Sequence, residues 1–185
     1  MDVAVFGGSF NPPHVAHVLA CALVLATEPV EKLLVVPTYR HPFAKPLAPF
    51  DDRVAMCELA MAWLPRVEVS RVEERLGGES RTLRTLEHLA AENPGWRLHI
   101  VIGADVLAEA PRWFGFDAIA KLAPPIVLGR AGFDSTGAGL TLLPQVSSTQ
   151  VRSAIARGAW SEIAPLVSRD VLAYARQKGL YETLA

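Results

Sequence analysis

Residues 3–17, VAVFGGSFNPPHVAH, decide the fold of this chain and point to a ligand site. The first four are apolar on both faces and include β-branched side chains, which is typical of a buried strand. Gly7 and Gly8 follow, and their missing Cβ atoms let a ligand approach the backbone where the chain turns. Pro12 and Pro13 then lead into a segment whose apolar residues recur at helical spacing, and proline is tolerated in a first helical turn.

Two histidines stand at the start of this predicted helix. His14 and His17 are three residues apart and therefore share one face. Free backbone N–H groups and the positive end of the helix dipole lie beside them. The combination suits a phosphate, or negative charge that develops on one during a reaction. The plainer alternative is that each histidine only caps or packs the helix.

The stretch resembles the first motif of the nucleotidylyltransferase superfamily, a glycine pair followed by an H-x-G-H-like histidine pair. The sequence GGSFNPPH within it is similar to the corresponding motif of the bacterial nicotinate mononucleotide adenylyltransferases, although Ala16 stands where many members have glycine. The resemblance implies that His14 and His17 contact the transferring phosphate and the bridging oxygen. It also assigns five residues of the turn to the nucleotide site: Gly7, Gly8, Ser9, Phe10 and Asn11.

A second motif, VSSTQVR at residues 146–152, is similar to the I-S-S-T-x-x-R signature of the same superfamily. Ser148 and Thr149 are suitable N-cap residues, and with Ser147 they offer hydroxyls and free N–H groups to the terminal phosphates of a nucleotide. Arg152 lies one turn later, and its planar guanidinium can bind two phosphate oxygens. Taken alone, the pattern fits an N-capped helix with an exposed arginine equally well.

The resemblance also assigns residues outside the two motifs, namely Lys45, Gly103, Asp105 and Arg130 to the nucleotide and Thr82, Thr85, Trp113 and Phe114 to the acceptor. Lys45 would neutralise charge on the triphosphate, and Asp105 would accept hydrogen bonds from the adenosine ribose. Each assignment has a structural alternative: a solvated Lys45 or Arg130, an N-cap at Asp105, or a packed Phe114.

Residues 80–86, SRTLRTL, depart from the family pattern, which has Tyr at the Arg81 position and Asp at the Arg84 position. Thr82 and Thr85 are retained. This segment helps to hold the pyridine nucleotide in relatives, so the acid and amide forms of the acceptor both stay open. The additional positive charge favours the acid, nicotinate.

Strands and helices alternate along the chain. Strands are predicted at residues 3–6, 32–36, 67–72, 98–102 and 126–128, with a sixth possible at 140–143, and helices at 15–26, 51–64, 82–92, 105–109, 113–122, from 148 and at 168–178. Crossovers of roughly thirty residues predict an α/β, Rossmann-like, doubly wound parallel sheet of five or six strands with helices on both faces. The resemblance makes the first and fourth strands neighbours where strand order reverses, which is where ligands bind in such sheets. We expect a single nucleotidylyltransferase domain, 1–185, with the core in 1–145 and the signature helix and a small helical C-terminal extension in 146–185.

Composition narrows the classes of protein. Of 185 residues, 51% are hydrophobic and 20% charged, which fits one compact core and excludes disorder. A net charge of −1 without a basic run argues against nucleic acid as a partner. No segment has the length of a membrane span and no basic leader precedes the first strand, so we expect a cytoplasmic protein. Cys21 and Cys57 are expected to be small hydrophobic core residues of a protein in a reducing compartment. The sequence does not indicate an oligomeric state.

The sequence therefore predicts an adenylyltransferase that joins ATP to a pyridine mononucleotide. A phosphate oxygen of nicotinate mononucleotide would attack the α-phosphorus of ATP, giving deamido-NAD and pyrophosphate. Mg²⁺ would enter with the triphosphate, because the sequence offers no carboxylate cluster for a metal site of its own. The alternatives are nicotinamide mononucleotide or phosphopantetheine as acceptor, a cytidylyltransferase, and a nucleotide-binding regulatory module without turnover. A dehydrogenase is disfavoured, because Gly7 and Gly8 lack the third glycine and the downstream acid of a dinucleotide fingerprint.

Overall fold

The computed structural model describes residues 1–43, 46–104, 115–129 and 143–183. In this part of the chain five parallel strands form one sheet in the order β3-β2-β1-β4-β5. The strands are β1 (Asp2–Gly8), β2 (Lys32–Pro37), β3 (Val67–Val69), β4 (Arg97–Gly103) and β5 (Pro125–Leu128). The predicted doubly wound parallel fold is confirmed. The possible sixth strand lies mostly outside the described residues, although the Leu143 N–H donates to the Gly129 carbonyl at 3.5 Å.

Helices cover both faces of the sheet. They are α1 (Val15–Thr27), α2 (Phe50–Met61), α3 (Val72–Leu76), α4 (Thr82–Glu92), α5 (Phe116–Leu122), α6 (Ser148–Ala156), α7 (Trp160–Ile163) and α8 (Arg169–Gln177). One core lies between the sheet and α1, α2 and the C-terminal helices, and the other lies between the sheet and α3, α4 and α5. The predicted helix at 105–109 lies outside the described residues. No helix in the described ranges combines the length and apolarity of a membrane span.

The central strand explains why the first residues determine the architecture. Ala4 belongs to one core while Val3 and Val5 belong to the other, and all three are buried. Val5 pairs with Leu34 of β2 and with Ile100 of β4. Strand order thus reverses between β1 and β4, as expected, and the glycine-bearing ends of both strands reach the same edge of the sheet.

Three predicted boundaries are wrong. The strand expected at residues 67–72 ends at Val69, and Val72 begins α3, because the fully buried Val72 side chain packs into the core with α4. The helix expected at residues 51–64 ends at Met61, whereas α1 begins at Val15 as expected, with His14 as its N-cap residue. Ser147, rather than Ser148 or Thr149, caps α6, with its Oγ accepting the Gln150 N–H at 3.2 Å.

The predicted C-terminal helical extension is present and is anchored to α2. Tyr174 of α8 donates its hydroxyl proton to Asp52 at 2.9 Å. Gly179, at φ +61°, ends the helical region, because few other residues adopt the left-handed conformation without strain. The chain then turns so that Tyr181 approaches the loop after β1.

Candidate active site

The loop that follows β1 is built around the buried ring of Phe10. Phe10 has φ +44°, which is uncommon for a residue with a side chain, and it is 1% exposed. Its ring packs edge-on against Phe6 and His17, with centroid distances of 5.5 and 4.9 Å. A Cβ atom at Gly8 would lie 3.2 Å from this ring, whereas a Cβ at Gly7 would meet nothing within 4 Å. A methyl group at Gly8 would therefore crowd the Phe10 ring, whereas Gly7 borders open space.

The two histidines form a stacked pair at the start of α1. Their ring centroids are 3.8 Å apart, and the His14 backbone N–H donates to Nδ1 of His17 at 3.1 Å. A neutral imidazole that accepts at Nδ1 carries its proton on Nε2, so this hydrogen bond fixes the tautomer and orientation of His17. His14 is buried and His17 is half-buried. The structure therefore pre-orients the pair that the first motif singles out.

The second motif meets the first across nearly the whole chain. Ser148 donates its hydroxyl proton to the Pro12 carbonyl at 2.9 Å, although the two residues are 136 positions apart. Arg152 Nη1 donates to the Asn11 carbonyl at 2.8 Å, and its Nη2 donates to Thr149 Oγ1 at 3.2 Å. The start of α6 thus lies against the loop that precedes α1, and two helix N-termini that suit anions adjoin one another.

Sequence reasoning missed Arg53, a buried cation beneath this loop. Its side chain is 1% exposed, and burial holds its pKa below the usual value. Nε donates to the Ala48 carbonyl at 2.9 Å, and Nη1 donates to the Ser9 carbonyl at 3.0 Å. The available signal was its helical spacing from Cys57 and Ala60 on the apolar face of α2, since an arginine on such a face needs buried partners.

Tyr181 was also missed. Its hydroxyl donates to Oδ1 of Asn11 at 2.9 Å, and the same oxygen accepts the Ala48 N–H at 3.0 Å. Burial raises the pKa of the Tyr181 phenol, so it is a proton donor at neutral pH. Asn11, at 2% exposure, therefore joins three distant parts of the chain through two oxygens. No local pattern marked this residue of the C-terminal segment.

A cavity of about 540 Å³ opens beyond the carboxyl ends of β1, β2 and β4, a size typical of small-molecule sites. Six residues predicted for the nucleotide or the acceptor line it: Gly7, Gly8, Ser9, Thr82, Thr85 and Gly103. His14, His17 and Arg152 are not among the lining residues. They adjoin it through the loop after β1, because Ser9 lines the cavity and Asn11 binds Arg152.

The wall of the cavity beside α4 contains a carboxylate that the sequence did not single out. Glu73 accepts the Thr85 hydroxyl proton at 3.2 Å through Oε1 and the Tyr39 backbone N–H at 3.0 Å through Oε2. Ser80 Oγ also accepts from Tyr39 N–H at 3.0 Å. The predicted acceptor residue Thr85 is thus held by Glu73, while Thr82 opens α4 beside it.

The two departures from the family pattern occupy different places. Arg84 donates to the carbonyls of Leu76 and Gly77 at 2.8 and 2.7 Å, so it caps the end of α3 and does not line the cavity. Arg81 does line it and forms an ion pair with Glu79 at 2.9 Å. Of the two arginines expected to add positive charge at the acceptor side, Arg81 alone lines the cavity, and Glu79 offsets part of its charge.

Five predicted residues lie outside the described part of the chain: Lys45, Asp105, Trp113, Phe114 and Arg130. Among the residues described, no group of three or more His, Cys, Asp or Glu side chains is placed to hold a metal ion. The side chains that meet at the two helix starts offer N–H donors from the histidines and Arg152 and hydroxyls from the serines and Thr149. Such donors suit phosphate oxygens, whereas Mg²⁺ requires oxygen ligands.

Comparisons with known proteins agree with this geometry. The model of the cytidylyltransferase-like family matches residues 5–154. A protein of Anaeromyxobacter sp. (strain K), named "Probable nicotinate-nucleotide adenylyltransferase", is 46% identical over 183 residues, covering 97% of this chain and 96% of the relative. A protein of Myxococcus xanthus (strain DK1622) with the same name is 42% identical over 185 residues, covering 98% and 95%.

A solved structure shares the fold. It is the Plasmodium falciparum nicotinic acid mononucleotide adenylyltransferase complexed with NaAD, which aligns with a TM-score of 0.85 at 17% identity over 99% of this chain and 98% of that chain. The sequence relatives and the family match extend over both motifs and the sheet that joins them. The chain therefore belongs to the nicotinate-nucleotide adenylyltransferase family, within the cytidylyltransferase-like proteins.

Proposed function

We propose that this protein transfers the AMP unit of ATP to the phosphate of nicotinate mononucleotide, forming deamido-NAD and pyrophosphate. The observation that carries the proposal is the contact between the two motifs, in which Arg152 binds the Asn11 carbonyl at 2.8 Å and Ser148 binds that of Pro12 at 2.9 Å. Two helix starts suited to phosphates thereby adjoin the same loop, whose residue Ser9 lines the cavity. The names of the relatives at 46% and 42% identity support this acceptor.

The chemistry requires no covalent intermediate with the protein. An oxygen of the acceptor phosphate forms a bond to the α-phosphorus of ATP, and the bond from that phosphorus to the oxygen bridging to the β-phosphate breaks. Pyrophosphate leaves with the electron pair. Catalysis then consists of holding two anions in line and offsetting the charge that builds on the transferring and leaving groups.

The geometry suggests how the roles are divided. His17 would donate from Nε2 to the transferring phosphate, with His14 stacked behind it, and Arg152 with the start of α6 would bind the terminal phosphates. The cavity beside α4 would take the pyridine mononucleotide against Thr82 and Thr85. For the residues outside the described ranges we retain the roles implied by the resemblance: charge neutralisation by Lys45 and Arg130, ribose binding by Asp105, and pyridine contact by Trp113 and Phe114.

Mg²⁺ fits this scheme as a companion of the substrate. The donors at the two helix starts suit the oxygens of ATP, which would themselves bind the metal and present it with the triphosphate. The cytoplasmic location and the organisation as one domain, 1–145 with 146–185, stay predictions. The bonds from α6 to the loop after β1 support treating the two parts as one unit.

A coupled pyrophosphate-release assay tests the proposal. The purified protein is given Mg²⁺ with ATP or CTP and, in separate reactions, nicotinate mononucleotide, nicotinamide mononucleotide or phosphopantetheine. We expect the highest kcat/KM with ATP and nicotinate mononucleotide. A preference for CTP or for another acceptor would replace the proposed substrate, and ATP binding without turnover on any acceptor would favour a regulatory module.

A further inference from the structure

Arg53 is a buried cation whose hydrogen-bond acceptors in the described structure are neutral carbonyl groups and not carboxylates. Its hydrogen-bond acceptors there are the main-chain carbonyls of Ser9 and Ala48, and its guanidinium also lies 5.4 Å from the Phe50 ring centroid. No carboxylate accepts a hydrogen bond from it among these residues. A guanidinium stays protonated at neutral pH even when burial lowers its pKa. The nearby Glu73 carboxylate favours the charged form but offsets burial only in part, since the pKa of Arg53 stays lowered. Burying a cation without a direct ion pair is costly, so its retention calls for a compensating role.

The carbonyls that Arg53 binds belong to two segments of the candidate site. Ser9 lies in the loop that leads to the histidines, and Ala48 lies in the segment that follows the predicted Lys45. Ala48 is bound a second time, because its N–H donates to Asn11 Oδ1. Asn11 in turn binds Arg152 through its carbonyl. The guanidinium thus stands at the base of a continuous hydrogen-bonded network that ends at the arginine of the second motif.

We propose that Arg53 is a positioning residue for adenylyl transfer: its planar guanidinium sets the loop 9–11 against the segment 46–49, and the phosphates of bound substrate balance its charge. The inference rests on the proposed function, since it requires that the triphosphate of ATP bind beside the loop 9–11. The rigid guanidinium matters because Nε and Nη1 are fixed relative to one another and bind the two carbonyls at the same time. A lysine carries the same charge on a flexible stem and cannot reproduce this geometry.

Tyr181 supplies an independent way to loosen the same network. Its hydroxyl donates to Asn11 Oδ1 at 2.9 Å, from the opposite end of the chain. Tyr181→Phe removes that bond while leaving the charge of Arg53 and the aromatic packing in place. If the network positions the loop, this variant lowers kcat by about fivefold, the equivalent of one neutral hydrogen bond.

The main experiment compares Arg53→Lys and Arg53→Met with matched variants of Arg66. Arg66 also donates to two main-chain carbonyls, those of Leu25 and Val30, but it is exposed and lies at the amino ends of the strands, away from the cavity, so it controls for loss of the carbonyl bonds and not for burial. Thermal unfolding first identifies a temperature at which the variants that fold are all in the native state. At that temperature kcat and the KM for ATP are measured by pyrophosphate release with saturating nicotinate mononucleotide, and the Tm shift produced by ATP is recorded.

The proposal separates the effects of geometry and charge. Arg53→Met is expected to lower kcat by about 10²-fold, as misplacement of reacting groups does, and to raise the KM for ATP. Arg53→Lys is expected to lower kcat by about tenfold while leaving the KM for ATP near the wild-type value. Arg66→Lys and Arg66→Met alter stability but neither kinetic constant.

Normal kcat in folded Arg53→Lys and in Tyr181→Phe would overturn the proposal and leave Arg53 a purely structural residue. If Arg53→Met does not fold, these two variants decide the matter. A wild-type protein that releases no pyrophosphate contradicts the proposed function instead. In that case the ATP-induced shift in Tm decides. If Arg53→Lys retains the full wild-type shift and Arg53→Met loses it, the charge balance is supported. An equal shift in all three proteins refutes it.

Discussion

Replacing Gly8 with alanine tests whether the Phe10 ring sets the shape of the site. The new Cβ atom would lie 3.2 Å from Cε2 and Cζ of Phe10, a few tenths of an ångström too close. The ring cannot simply swing away, because it is 1% exposed and packs against Phe6 and His17. Gly8→Ala must therefore displace the loop, the ring, or both.

The size of the effect follows from a comparison with Gly7. Both substitutions remove similar backbone freedom from the unfolded chain, which by itself stabilises the fold by roughly 0.4–1 kcal/mol. Only Gly8→Ala adds a methyl group to a packed core, where such additions cost about 1–3 kcal/mol. Gly8→Ala should thus be less stable than Gly7→Ala by about 1–3 kcal/mol.

The two variants should also differ in kinetics. Because the Phe10 ring contacts His17, Gly8→Ala is expected to lower kcat by about tenfold, as small displacements of a catalytic group do. Gly7→Ala directs its methyl group into the cavity and should mainly raise the KM of a substrate. Urea unfolding followed by circular dichroism measures the stability difference, and pyrophosphate release measures kcat and KM. Equal stability of the two variants would refute the idea that Phe10 requires glycine at position 8.

Further predictions concern the proposed phosphate-binding groups and the buried thiols. His17→Ala should lower kcat by about 10²- to 10⁴-fold at saturating ATP. His88, on the surface of α4 beside Glu92, is the control, and His88→Ala should leave kcat unchanged. A near-normal kcat in His17→Ala would remove the proposed role of His17. Arg152→Lys keeps the charge but loses the fork that binds Asn11 and Thr149, so kcat/KM for ATP should fall by about 10- to 100-fold in the same assay, and an unchanged value would show that the charge alone suffices. Burial raises the pKa of the Cys21 thiol from 9.0 to about 12 and also raises that of Cys57, so the unfolded chain loses these protons first and the free energy of unfolding should decline as pH rises above 9. Urea unfolding at several alkaline pH values checks this, and Cys21→Ala should reduce the slope; identical slopes would contradict it.

Elements with a strong periodic pattern could be predicted closely from sequence. The helix predicted at residues 82–92 has those bounds in the structure, because its apolar residues recur on a single face. The strands predicted at 3–6 and 32–36 were extended by only one or two residues at their ends. Apolar residues on both faces require cover on both sides, which made a parallel sheet with two helical layers the consistent solution.

Boundaries without such a pattern were predicted less well. Val72 was assigned to the strand although Arg71 already interrupts the alternation of Val67 and Val69, and the Val72 side chain enters the opposite core as the first residue of α3. The serine that caps α6 was misassigned by one or two positions among Ser147, Ser148 and Thr149, since all three have suitable hydroxyls. Which hydroxyl faces the Gln150 N–H depends on how the preceding segment enters the helix, and its sequence does not specify that path.

The amino-acid sequence determined the alternation of strands and helices, the glycine turn, and the two motifs that identify the family, because hydrophobic periodicity and turn chemistry act over a few neighbouring residues. Tertiary structure alone decided that Arg53 and Tyr181 hold the loop between these motifs. Their partners lie 44 and 170 positions away. One is a main-chain carbonyl, which every residue offers, and the other is the side-chain oxygen of an asparagine in a loop, which is also a common group. Only the packing of α2 and the C-terminal segment against β1 selects which of those oxygens is within reach.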